Sequence, residues 1–135
     1  MRLIPDSALA ALVVWQETEG EPYEGKLGVA EAIRNRMQRK FFSDGTVAGT
    51  IALRGQFSAF TDDKQDNARL IASLKLDDSD PIVQDCIKAW NEAMTGSNTV
   101  VGAVQYYNPA VVTPYWLIDF KEVARKGHHI FMVRK

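Results

Sequence analysis

Glu17 sits where a carboxylic acid can keep its proton. It continues the Leu9, Val13 spacing, so it extends the buried stripe of a first helix and lies in the last turn before Gly20 and Pro22 stop that helix. The partial negative charge of a helix C-terminus and partial burial both disfavour an ionised carboxylate, and both push its pKa upward. A carboxylic acid still protonated near neutral pH is what general acid catalysis needs. A solvated surface charge or a cap would carry the same residue type, and position alone does not separate these readings. The neighbouring acids have simpler explanations. Glu21 and Glu24 flank Pro22 at the start of a second helix, where negative charge meets the positive dipole end. Glu31 precedes Arg34 and Asn35 on a face that reads as exposed, which makes it half of an ordinary ion pair.

The elements that must position these residues are helix-rich with short strands. Asp6 or Ser7 caps a helix over residues 8–18. A second helix over residues 22–39 carries Leu27, Ala30, Ile33, Arg34 and Met37 at helical spacing, with Arg36, Arg39 and Lys40 favouring the dipole at its end. Residues 42–53 read as loop with one short helix, and residues 67–74 as another short helix. Asp80 and Pro81 open a third clear helix that stops at Gly96. GQFSAF, residues 55–60, reads as an extended segment with Gln56 and Ser58 on one face and Phe57 on the other. Residues 104–108 read as a strand that runs through Tyr106 and Tyr107 into a turn at Asn108 and Pro109.

Composition narrows the function classes. The 135 residues are long enough to bury one core, with 46% hydrophobic and 24% charged residues, a globular balance. A formal net charge of -1 argues against a nucleic-acid partner, because duplex binding draws on a concentrated basic surface. Residues 1–6 lack the basic and apolar pattern of an export signal, and the apolar stretch over residues 8–15 is too short to span a bilayer. Cys86 falls on the stripe Val83, Cys86, Ile87, Trp90, Ala93 and reads as a small buried hydrophobe. No metal site is expected, since His128 and His129 would point in opposite directions in a strand and no further Cys or His completes a tetrahedral set.

The run from Val14 to Met37 resembles the signature of the SleB-type cell wall hydrolases, the spore cortex-lytic enzymes and related bacterial and phage peptidoglycan hydrolases, through Glu17, Gly20, Glu21, Pro22, Gly25, Val29, Ala30, Ile33, Asn35 and Arg36. GQFSAF, GAVQYYNP at residues 102–109, Trp116 and GHHIF at residues 127–131 follow in the family's order, so the resemblance covers nearly the whole chain. Departures from the pattern are Lys26 for a usual Gln, Glu19 where a basic or small residue is common, Phe60 for Trp and Gln105 for His.

The resemblance implies a single lysozyme-like α+β domain over residues 1–135, mainly helical with a small β region, acting as a monomer without cofactor or metal. It makes Glu17 the catalytic acid and places Gln56, Ser58, Tyr106, Tyr107, Asn108 and His129 against the substrate. Aromatic faces stack on sugar rings, while Tyr hydroxyls and the Asn amide pair with N-acetyl and hydroxyl groups. Adjacent strand residues face opposite sides, so one of the two tyrosines can instead be core. The implied reaction cuts peptidoglycan glycan strands between N-acetylmuramic acid and N-acetylglucosamine as a lytic transglycosylase, leaving 1,6-anhydro ends. Hydrolysis is the alternative, and it needs a second carboxylate about 5 Å away for retention or about 6.5–9.5 Å for inversion, with Asp62, Asp63 and Asp66 as candidates. A wall-binding or virion structural module that lost the chemistry is the rival from another class. A phage endolysin released through a membrane pore, a virion lysin or an excised domain of a larger secreted enzyme would each bring such a protein to the wall.

Overall fold

The computed structural model of the protein describes residues 3–53, 57 and 68–135, and the side chains of the last group from residue 71 onward. Gln56, Ser58, Asp62, Asp63, Asp66 and the extended reading of GQFSAF lie outside the described residues. Helix α1 (Asp6–Glu17) begins earlier than its sequence cue, because extended Pro5 supplies the first acceptor carbonyl to Ala8 and Leu9 and no side chain caps the end. Asp6 therefore sits in the first turn, where its charge still meets the dipole. At the other end the Thr18 backbone N–H and hydroxyl both donate to the Val14 carbonyl, and Gly20 turns the chain away at φ 77°.

Helix α2 (Tyr23–Arg39) runs through the centre of the fold. The sequence reads it as amphipathic, yet every residue from Gly25 to Arg36 is buried. Short α3 (Val47–Ile51), capped by Thr46 on the Gly49 N–H, and α4 (Ala68–Leu74) lead to α5 (Pro81–Met94). There the expected Asp80 cap accepts from the Ile82 and Val83 N–H groups, and Pro81 takes the first position. Helices α1, α2 and α5 meet over Val13, Val14, Val29, Ile33, Ala89 and Trp90. Cys86 is fully buried among them, and that burial pushes its thiol up to about 11.

Strands β1 (Gln105–Tyr107), β2 (Phe120–Lys126) and β3 (His129–Arg134) form an antiparallel sheet in the order β1-β3-β2. The short 3₁₀ turn Tyr115–Asp119 leads into β2. The β2–β3 hairpin carries an irregularity between Glu122 and Ala124. The sheet closes onto α2 at Gly28, where an added Cβ would stand 2.7 Å from the Phe131 ring. No helix among the described residues is long and apolar enough to cross a membrane. The mixture of helices with a small sheet is the α+β class expected from the resemblance.

A helix buried all round must satisfy its polar side chains internally. Lys26 donates to the Glu21 carbonyl at 2.6 Å and reaches the Thr18 carbonyl at 3.4 Å, closing the end of α1 from within α2. Glu31 is not half of an exposed ion pair: it is 0% exposed, and its carboxylate accepts from the Ser97 and Thr99 hydroxyls and from the Val100 N–H at 2.6–3.1 Å. Arg34 donates to the Ala93 and Ser97 carbonyls, and Asn35 to the Ala103 carbonyl. Burial pulls the Arg34 guanidinium below its ordinary value while Glu31 pulls it back. These bonds take over the backbone groups of the segment between α5 and β1. Glu31→Ala is therefore expected to cost about 3 kcal/mol or more in urea unfolding, since three donors lose one acceptor; a loss below about 1 kcal/mol would mean the segment is held by other contacts.

Candidate active site

The end of α1, the end of α2 and strand β1 converge on an open cleft of about 630 Å³. Glu17, Tyr106, Tyr107, Asn108 and His129 all line it, so the structure brings these predicted residues together. Glu17, the last residue of α1, is half-buried at the cleft wall. Its Oε1 accepts a hydrogen bond of 2.7 Å from the Tyr106 hydroxyl. Burial first, and then the Glu17 charge, hold the Tyr106 phenol well above its ordinary value, so it stays a neutral donor. Glu19 is exposed and does not line the cleft.

Arg36 is the residue that sequence reasoning misplaced. Its position near the end of α2 made it a partner of the dipole, but it is 4% exposed and lines the cleft. Its Nε donates to the Val104 carbonyl at 2.6 Å, and a terminal nitrogen donates to Gln105 Oε1 at 2.7 Å. The guanidinium also stacks 5.2 Å from the Phe57 ring centre and 6.0 Å from that of Tyr106. Burial lowers its pKa, and the Tyr106 and Glu17 groups act in the opposite sense. The signal available in the sequence was the invitation of an Arg one turn beyond Ile33, on the face that continues the core stripe, and not the exposed one.

Strand β1 explains how both tyrosines reach one cleft. Tyr106 packs on the core side against Phe131 and His129, while Tyr107 turns to the second cluster and meets Trp116 edge-on at 5.8 Å. The cleft runs across the strand end and takes in both. Asn108 Oδ1 accepts from the Ala110 N–H, which commits the amide oxygen to the turn and leaves the amide nitrogen as the donor a ligand would meet. Trp116, which the sequence reading noted only as following the motif, and the exposed Tyr115, which it did not name, add an aromatic rim.

The two histidines do not diverge as expected. His128 falls in the hairpin turn and His129 begins β3, and both Nδ1 atoms approach the buried Glu21 carboxylate, at 3.2 and 3.4 Å. Glu21 thus faces the hairpin as well as standing before α2. Among the described residues no group of three or more His, Cys, Asp or Glu side chains is arranged to hold a metal ion. Glu17 is the one carboxylate lining the cleft among the described residues.

Arg36→Lys is expected to lower stability by about 1–3 kcal/mol, because an ammonium cannot bridge the Val104 carbonyl and Gln105 amide from one plane. Thermal and urea unfolding check it, and an unchanged midpoint would show that the bridge contributes nothing.

The family model described as cell wall hydrolase matches residues 20–132. The spore cortex-lytic enzyme of Oceanobacillus iheyensis is 32% identical over 131 residues, covering 93% of this chain and 41% of the relative. That of Bacillus subtilis is 31% identical over 126 residues, covering 93% of this chain and 37% of the relative. The chain thus spans about two fifths of the length of these curated relatives. Among solved structures, the catalytic domain of the germination-specific lytic transglycosylase SleB from Bacillus anthracis superposes with a TM-score of 0.73 at 27% identity, over 95% of this chain and 93% of that one. The catalytic domain of the Bacillus cereus SleB protein gives 0.75 at 28%, over 95% and 89%.

Proposed function

The chain belongs to the cell wall hydrolase family, and on that premise we propose that it cleaves peptidoglycan glycan strands between N-acetylmuramic acid and N-acetylglucosamine as a lytic transglycosylase. The observation that carries this reading is the surrounding of Glu17: one carboxylate at a cleft wall, with one oxygen held by Tyr106 and the Arg36 guanidinium close by. The protonated acid gives its proton to the glycosidic oxygen, and an oxocarbenium-like state forms at the muramic carbon. The carboxylate left behind gains from the positive charge of Arg36 and the Tyr106 hydroxyl, both already in place before charge develops. It then takes the proton of the muramic C6 hydroxyl, whose oxygen closes the 1,6-anhydro ring. Glu17 ends the cycle protonated, and no water has to be positioned.

Tyr107, Trp116 and Asn108 supply the sugar-facing wall in this reading, with rings for stacking and an amide donor for an N-acetyl carbonyl.

Glu17→Gln is expected to fold normally and to lose about 10²- to 10⁴-fold in the clearing of purified peptidoglycan, because the amide keeps the volume and has no proton to give. Near-normal clearing by the folded variant would remove Glu17 from the chemistry, and no clearing by the wild type would favour a wall-binding module. Mass spectrometry of the digest is expected to show products lighter by one water than hydrolytic fragments. Reducing ends alone would make the enzyme a muramidase and send the search for a second acid to Asp62, Asp63 and Asp66.

A further inference from the structure

We infer that Glu21 is a positioning residue that holds the His129 ring with Nδ1 protonated, so that Nε2 stands in the cleft as an unprotonated acceptor for a hydroxyl or amide N–H of the bound glycan. The ligand class rests on the proposed function above; the ring geometry does not. The Glu21 side chain is 4% exposed, and its two oxygens face the hairpin turn. Both oxygens accept from the His128 backbone N–H, at 3.0 and 3.2 Å, which fixes the carboxylate in place. Gly127 makes room for it: this residue has φ 56°, and a Cβ there would run into the Glu21 carboxylate and the Pro22 ring.

The geometry then decides the tautomer. His129 Nδ1 is buried without a hydrogen bond of ordinary geometry, and the polar atom beside it is Glu21 Oε1 at 3.4 Å. A bare nitrogen lone pair facing a carboxylate oxygen would be repelled, whereas an N–H there is attracted, so the buried position selects the Nδ1–H form. His129 lines the cleft and its Nδ1 is turned to Glu21, which leaves Nε2 as the nitrogen on the cleft side. The Tyr106 ring stands edge-on to the imidazole at 5.2 Å and limits its rotation, and the same Tyr106 holds Glu17.

The charged and titratable groups around the ring are Glu21 before α2, His128 in the turn, Lys126 opposite in β2 and Tyr106 in β1. Burial lowers the His129 pKa, Glu21 opposes this and His128 adds to it, so the net direction keeps the ring neutral at neutral pH. A neutral ring with Nδ1 protonated has one acceptor, Nε2, and none of its donors faces the substrate.

The decisive measurement is a long-range ¹H–¹⁵N spectrum of the histidine side chains in the whole chain at neutral pH. The expected result is a His129 Nδ1 of the protonated type and an Nε2 of the unprotonated type; the reverse assignment overturns the inference, whatever the enzyme acts on. Glu21→Gln keeps the volume and an acceptor for the His128 N–H but removes the charge, and it is expected to give a mixed tautomer. Its KM should rise so that kcat/KM falls roughly two- to tenfold, the worth of one hydrogen bond. A folded Glu21→Gln protein with lower melting temperature, one tautomer and unchanged KM would show that Glu21 serves the hairpin alone. If that variant does not fold, the wild-type spectrum still decides the tautomer, and titration of N-acetylglucosamine tetramer decides the contact. The Nε2 resonance is expected to move upfield on binding, and an unmoved Nε2 in a saturated complex overturns its role as acceptor.

Discussion

The structure depends on a charged helix being buried on all sides. Twelve residues of α2, Gly25 to Arg36, lie inside the protein, and Lys26, Glu31, Arg34, Asn35 and Arg36 are among them. Water cannot satisfy these groups, so the surrounding chain must. Each one bonds to a segment with little regular structure of its own: Lys26 to the turn after α1, Glu31, Arg34 and Asn35 to the stretch after α5, and Arg36 to the start of β1. The loops are placed by side chains of the central helix where a larger sheet would have placed them by its ladder.

The cleft inherits this arrangement. Arg36 fixes Val104 and Gln105 and so sets the height of Tyr106, which in turn holds Glu17. The buried guanidinium, the neutral phenol and the half-buried carboxylate form one connected set, in which no member can move without unpairing another. On the far side, Glu21 does for the hairpin turn what Glu31 does for the stretch after α5: it offers a buried carboxylate to a backbone N–H that has no ladder partner.

Much of the helical frame was legible. Asp80 and Pro81 announced α5, Gly20 and Pro22 ended α1 just after Glu17 and separated it from α2, and the Leu9, Val13 spacing put Glu17 on the inward face. What misled was the assumption that a charged helix keeps a wet side. Glu31 and Arg36 were assigned to solvent and to the dipole because the period of an amphipathic helix assigns polar residues outward, and a central helix has no outward direction. The β2–β3 hairpin was hidden for two reasons. The irregularity between Glu122 and Ala124 breaks alternation in β2, and β3 buries His129, Ile130, Phe131 and Met132 in succession. Seeing His128 and His129 as strand neighbours also missed the turn at Gly127 and His128, which brings both rings to Glu21.

The bond between Tyr106 and Glu17 joins residues 89 positions apart. A chain made from its N-terminus exposes α1 and α2 long before β1 exists, and among the described residues β1 pairs with β3. Until β1 has left the ribosome, Arg36 has no Gln105 to bridge and Glu17 has no phenol to hold it. The acid is present early and armed only once β1 follows, so a chain cut short before β1 carries the reactive residue without the site.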